Sequence, residues 1–398
     1  MKSMGRHPST VSNSCPRRSH LTPFASGLVL LLLLAGCATT SPTNTANVTL
    51  VDREATRPTK ALYANLRLLA EDHLLFGHQD DLAYGVNWKR EKGRSDVHDV
   101  AGAYPAVYGW ELGDLENGVE ANLDTVNFKE MQGWIKEGYK RGGIITISWH
   151  MDNPVSRGSS WDTTRAVYSI LPGGVNHALY RHWLDRFADF VGGLKTGPLA
   201  WLGLGKPVPI IFRPFHEHSG GWFWWGRGHV TPDEYVRLWR FTVEYLRDEK
   251  NLHNLIYAYS TDVFDSEEQY LEHYPGDDYV DVLGYDDYRS LRSDESVSEM
   301  TARLRTLVRL AEARGKIAAL TETGSEGVRS PTWWTGRLLR AIESDPISRR
   351  IAWVLVWRNA NARHHYAPYA GHPSAADFIE FYKHPFVLFG DGLPDLYH

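Results

Sequence analysis

Beyond about residue 50 the chain alternates short apolar runs with longer stretches whose apolar positions recur at helical spacing. The short runs fall at 74–78, 106–110, 144–149, 208–215, 255–259, 280–284, 317–321 and 351–357. Near-continuous apolar runs of this length suit parallel strands covered by helices on their outer side. The intervening helices carry start signals. Thr231-Pro232-Asp233-Glu234 places threonine at an N-cap, proline at the first helical position and glutamate three residues after the cap. Over 296–313, Val297, Met300, Leu304, Leu307, Val308 and Ala311 share one helical face. Eight strands alternating with helices predict an α/β fold, a single (β/α)8 TIM barrel over residues 51–398. A doubly wound open sheet is the structural alternative, but no glycine-rich phosphate turn follows the first strand.

The first 50 residues follow a different pattern. Arg17 and Arg18 precede an apolar run over 24–36 that includes five consecutive leucines, Leu30 to Leu34. The run is short for a bilayer span and fits the apolar core of a signal peptide. It ends in Leu34-Ala35-Gly36-Cys37, which resembles a bacterial lipobox. That resemblance implies a signal peptide over 1–36 and a lipid on Cys37, anchoring the chain in the bacterial cell envelope. Ala38, where an inner-membrane retention signal would show aspartate, points to the outer membrane. Residues 37–50 read as a polar tether. Cys15 would leave with the leader, so no disulfide is expected.

Charge narrows the partners. The chain has 43 basic and 48 acidic residues, for a net charge of −5, and its first 36 residues hold four bases and no acid. An acidic folded part does not suit nucleic acid. Fifteen tryptophans, all between Trp88 and Trp357, suit a ligand with flat apolar faces.

In such a barrel the loops after the strands build the active site. Glu217 and Glu322 stand out there, because each reads as closing a strongly apolar strand, the fourth and the seventh. Two carboxylates facing each other across a pocket suit glycoside hydrolysis, in which one protonates the leaving oxygen and the other attacks or stabilises the anomeric carbon. Neither a metal nor a cofactor is needed for that chemistry. At the sixth strand, alternation puts Asp286 and Tyr288 on one face and Tyr285 with Asp287 on the other.

The segment Arg213-Pro214-Phe215-His216-Glu217-His218-Ser219-Gly220-Gly221-Trp222-Phe223-Trp224-Trp225-Gly226 resembles the acid/base motif of glycoside hydrolase family 26, the β-mannanases. Leu320-Thr321-Glu322-Thr323-Gly324 resembles that family's nucleophile segment, and Trp110-Glu111-Leu112-Gly113-Asp114 and Ser148-Trp149-His150 are also similar to it. The resemblance covers roughly 55–395. It implies a retaining glycosidase with Glu217 as acid/base and Glu322 as nucleophile. His216 would bind substrate and tune Glu217, Trp222 would form part of the sugar platform, and His150 would reach a sugar hydroxyl. Trp357 would stack under the sugar at subsite −1, and Arg358 would contact substrate or pair with a rim acid. Of the two tyrosines, Tyr288 is the expected partner of the nucleophile, with Asp286 beside it. Trp224 and Trp225 read as core. The implied substrate is β-mannan or manno-oligosaccharide, taken by a monomer. A minority of the family cleave β-1,3-1,4-glucans or β-1,3-xylans. With the anchor, the expectation extends to a preference for oligosaccharides, and to mannobiose release from chain ends where a loop walls off the distal minus subsites.

Two rivals follow from other features. His216-x-His218 on one strand face, joined by His78, His150 and Asp286, would make a metal-dependent barrel hydrolase. The tryptophans and anchor alone would suit a non-catalytic sugar-binding lipoprotein, which has no need of the two glutamates.

Overall fold

The computed structural model describes residues 49–398, so the leader, Cys37 and most of the expected tether lie outside the described residues. Eight parallel strands form a closed barrel: β1 (Leu74–Gln79), β2 (Val107–Glu111), β3 (Ile144–Ser148), β4 (Ile210–Arg213), β5 (Leu255–Thr261), β6 (Val282–Asp287), β7 (Ile317–Thr323) and β8 (Trp353–Val356). Closure is the pairing of β8 with β1, from Leu75 opposite Trp353 to His78 opposite Val356. A two-residue strand, β9 (Val387–Leu388), adds to the start of β1.

Alternation along the strands sorts side chains into two layers. Leu75, Val107, Ile144, Ile211, Ile256, Val282, Ile317 and Trp353 fill the lower barrel interior, where Leu62, Tyr63 and Leu66 of the helix Arg57–Asp72 close the bottom. That helix starts at Thr56, whose side chain accepts from the Thr59 amide, and the strand pattern gave no sign of it as a plug. Leu50, the last residue of the expected tether, is buried in the same layer. The opposite strand faces, such as Phe76, Tyr108 and Phe212, pack outward against the helices.

The helix signals have their expected outcome. Pro232–Glu244 begins with a complete capping box between Thr231 and Glu234, and Val297–Ala313 buries the face read from sequence.

Strand ends differ from the sequence reading. The fourth strand is only Ile210–Arg213, because Pro209 and Pro214 bracket it and cannot donate to the ladder. Glu217 therefore does not close a strand; it stands four residues beyond, in a turn. β6 and β7 run on through their polar residues, so Glu322 lies inside its strand.

Candidate active site

Following each interior face upward, the apolar layer gives way to Gln79, Glu111, Ser148, Arg213, Ser260 and Asp286 at the same parity as the apolar residues below them. Glu322 reaches this layer by a different route. Tyr285 pairs with Leu320 but Asp286 pairs with Glu322, so Thr321 is an extra residue in β7. Plain alternation would turn Glu322 outward beside Leu320, and the bulge re-aims it inward. Thr321 stays inside too, its hydroxyl 2.7 Å from Asp286 Oδ1.

Glu217 is delivered by a strained turn. Phe215 and Glu217 both adopt left-handed backbone, with φ of 50° and 54°, a conformation non-glycine residues rarely hold. Buried hydrogen bonds pin it: Tyr235 donates to the Phe215 carbonyl at 3.0 Å, Trp225 Nε1 to the His216 carbonyl at 2.9 Å, and the Glu217 amide to the Ser260 carbonyl at 3.0 Å.

One oxygen each of Glu217, Asp286 and Glu322 lie within 4.8 Å of one another. Arg213, buried beneath them, donates to Asp286 at 2.8 Å and to Glu322. Tyr288 donates to the second oxygen of Glu322 at 2.9 Å. Tyr285 points the other way, edge-on to Phe264. Burial raises Asp286 to about 7 against the pull of Arg213, with the charge of Glu322 adding to the rise. Glu217 sits well above the ordinary carboxylate range, pushed there by burial and by Asp286 and Glu322, while the Trp222 indole N–H, 2.7 Å away, pulls it part of the way down. The two glutamates are thus set apart: one favours its proton, and the other is held by two donors.

His150 and His216 meet beside this cluster, their Nε2 atoms 3.1 Å apart. Glu111, fully buried, accepts from the amides of Gly113 and His150, from Ser148 Oγ and from His150 Nδ1 at 2.6–2.8 Å. Burial alone would raise Glu111, but His150 and these bonds hold it at about 2. Burial works to lower His150, and Glu111 outweighs it, leaving His150 above its ordinary value. His216 is driven well below by burial, Arg213 and His150. The opposite directions of the two rings favour His150 as the donor in this contact. His218 does not share this face, because the strand has ended at Arg213: it is bonded to Tyr259 at 2.9 Å and Tyr235 at 3.1 Å in the outer layer. Among the described residues the carboxylate group around Arg213 contains no histidine, so the His-x-His centre is not assembled.

Trp357 stands edge-on to His150 at 6.4 Å. Trp224 and Trp225 are fully buried, as their reading as core requires. Arg358 pairs with Asp124 at 2.8 Å and donates to the Tyr84 hydroxyl at 3.3 Å. Tyr84 in turn donates to Asp80 at 2.6 Å, and burial with the Asp124 charge raises Asp80 to about 8. Sequence reasoning missed the Asp80–Tyr84–Asp124 network and also Trp161, which stacks on His150 at 5.3 Å with planes 11° apart. Their only signal in sequence was polar or aromatic residues in loops after β1, β2 and β3.

The sequence model of glycosyl hydrolase family 26 matches residues 51–339. A mannan endo-1,4-beta-mannosidase of Bifidobacterium adolescentis is 36% identical over 367 residues, covering 86% of this chain and 35% of the relative, so the chain spans about a third of that protein. A mannan endo-1,4-beta-mannosidase of Bacillus subtilis is 29% identical, covering 66% of this chain and 72% of the relative. Among solved structures, a GH26 beta-mannanase from Bacteroides ovatus superposes with a TM-score of 0.81 at 44% identity, covering 86% of this chain and 98% of its own.

Proposed function

The chain belongs to glycosyl hydrolase family 26, and from that premise we propose that it is a retaining β-1,4-mannanase acting on mannans, galactomannans and manno-oligosaccharides. The observation that carries this reading is the Glu217–Glu322 pair, with oxygens within 4.8 Å, Glu217 held well above the ordinary carboxylate range and Glu322 bonded by Arg213 and Tyr288. Retaining glycosidases hold their carboxyl groups about 5–5.5 Å apart, and inverting ones about 6.5–9.5 Å to admit a water. In the first step Glu322 attacks the anomeric carbon while Glu217 gives its proton to the glycosidic oxygen, so the leaving sugar departs as an alcohol and a glycosyl ester remains. In the second, the Glu217 carboxylate takes a proton from water, the oxygen attacks the same carbon, and Glu322 is released with the starting configuration restored. Arg213 and Tyr288 aim Glu322, Trp222 fixes Glu217, and Trp357 and Trp161 offer faces to pyranose rings. His150 and His216 supply polar contacts beside them.

The relatives' names favour mannan over the β-1,3-1,4-glucans and β-1,3-xylans. The finer reading, that mannobiose leaves from chain ends, rests on the anchor signal at Cys37. We further propose a monomer lipidated at Cys37 and held at the outer membrane, on the Leu-Ala-Gly-Cys signal. The test is a chromatographic time course on mannohexaose and galactomannan, with β-1,3-1,4-glucan and β-1,3-xylan in parallel. Mannobiose is expected from the first minutes, with the other glycans untouched. Faster cleavage of glucan or xylan would contradict the substrate class, and a random ladder of products would contradict chain-end release.

A further inference from the structure

On the side of the barrel away from the candidate active site, a short hairpin carries apolar side chains that pack on nothing. Lys195–Thr196 and Lys206–Pro207 pair antiparallel, and between them runs Gly197-Pro198-Leu199-Ala200-Trp201-Leu202-Gly203-Leu204-Gly205, nine residues without a polar side chain. Trp201 is 80% exposed, Leu204 72%, Leu202 53% and Leu199 50%, and none of them belongs to either core layer. The tip is nonetheless ordered. A 3-10 turn spans Ala200–Leu202, and Lys195 Nζ donates to the Gly203 carbonyl at 2.7 Å. Contiguous exposed apolar surface on a well-formed turn marks an interaction site.

Its place in the fold indicates what covers it. The hairpin leads directly into the start of β4 and therefore lies at the N-terminal end of the barrel. The described chain also begins at that end: the Val51 amide donates to Asp281, the residue before β6, and the Thr56 amide to the His253 carbonyl, just before β5. The residues that precede Thr49 include the apolar run over 24–36 and Cys37, twelve positions before Thr49. Twelve residues reach at most about 40 Å when fully extended. With a lipid on Cys37, as proposed above, the bilayer would lie within that reach of the end where the described chain begins. A tryptophan and leucines at a tip with lysines at its base match the composition of segments that enter the headgroup boundary. A sugar-binding surface would need several polar groups for hydroxyls, and the tip's side chains offer only the Trp201 indole N–H.

We propose that the 197–205 hairpin inserts into a lipid bilayer surface and fixes the enzyme with its active-site face turned away from the membrane. The inference rests on the membrane anchor proposed above and not on the proposed substrate, and because the test protein lacks Cys37 its failure is distinct from failure of the lipidation. The test uses the full chain with Cys15→Ser and Cys37→Ser, labelled with a nitrobenzoxadiazole dye at Leu202→Cys or, as a control at the opposite end, at the exposed Val175→Cys. Vesicles of phosphatidylethanolamine and phosphatidylglycerol are added, with and without lipids brominated in their acyl chains. A several-fold, blue-shifted rise in emission at position 202, quenched by the bromines and missing at 175, is the expected result. An unchanged signal at 202 would overturn the proposal. So would a rise that follows protein concentration without vesicles, which assigns the hairpin to a second copy, or one that needs mannan, which assigns it to polysaccharide.

Discussion

Glu217 and Glu322 are one residue type within a few ångströms of each other, and their neighbours make them chemically unequal. Glu217 has burial and the charges of Asp286, Glu322 and Asp262 against a single indole donor, whereas Glu322 is held by Arg213 and Tyr288. The balance on Glu217 gives a signed prediction. The Trp222 N–H favours the carboxylate, so Trp222→Phe removes a force that lowers the pKa and the proton is kept to higher pH. The alkaline limb of kcat/KM, which reports loss of that proton, should move up in pH, while the optimum falls roughly tenfold for one bond to a charged group. A pH–rate profile of the variant checks this, and a limb that moves down would contradict it. At this scale the sequence showed Glu217 and Glu322 by their place after strongly apolar runs, and Asp286 with Tyr288 by strand parity. It did not show Glu111 as the holder of His150, or Asp124 and Tyr84 as partners of Arg358. Those pairings join residues 39 and 274 positions apart; the pairing of β2 with β3 brings the first together and the closure of β8 on β1 the second.

At the scale of elements, the apolar runs located all eight strands, while their ends were misplaced for identifiable reasons. Prolines shortened the fourth strand. Asp286, Asp287 and Glu322 are poor strand formers by propensity, yet they continue β6 and β7 because the two backbones pair there, Asp286 with Glu322 and Asp287 with Thr323. The bulge at Thr321 has no sequence signature, since nothing in Leu-Thr-Glu-Thr-Gly distinguishes an extra residue from a regular one. Its consequence is testable. The Thr321 hydroxyl lies within hydrogen-bond reach of Ser260, the Tyr285 carbonyl and Asp286. Thr321→Val keeps the shape and strips a donor from a buried carboxylate, which costs about 1–3 kcal/mol. Urea unfolding should show that loss together with a several-fold lower kcat, and wild-type values for both would mean the bulge does not depend on this network.

Over the whole molecule, the barrel interior is divided along its axis: aliphatic side chains and a helical plug at one end, and a charged layer at the other. Burying Arg213, Glu111 and Asp286 would be prohibitive singly, and each is satisfied by partners drawn from other strands. That arrangement commits the charged end to chemistry and leaves the other end to the helical plug. The account stands most directly on Glu322 as the group that bonds to the sugar. An activated 2-deoxy-2-fluoro-mannobioside, which forms the ester faster than it is released, should inactivate the enzyme in step with the addition of one glycosyl group. Peptide mass spectrometry should then find that group on Glu322. A label on Glu217 or Asp286, or turnover with inverted product and no label at all, would contradict the account.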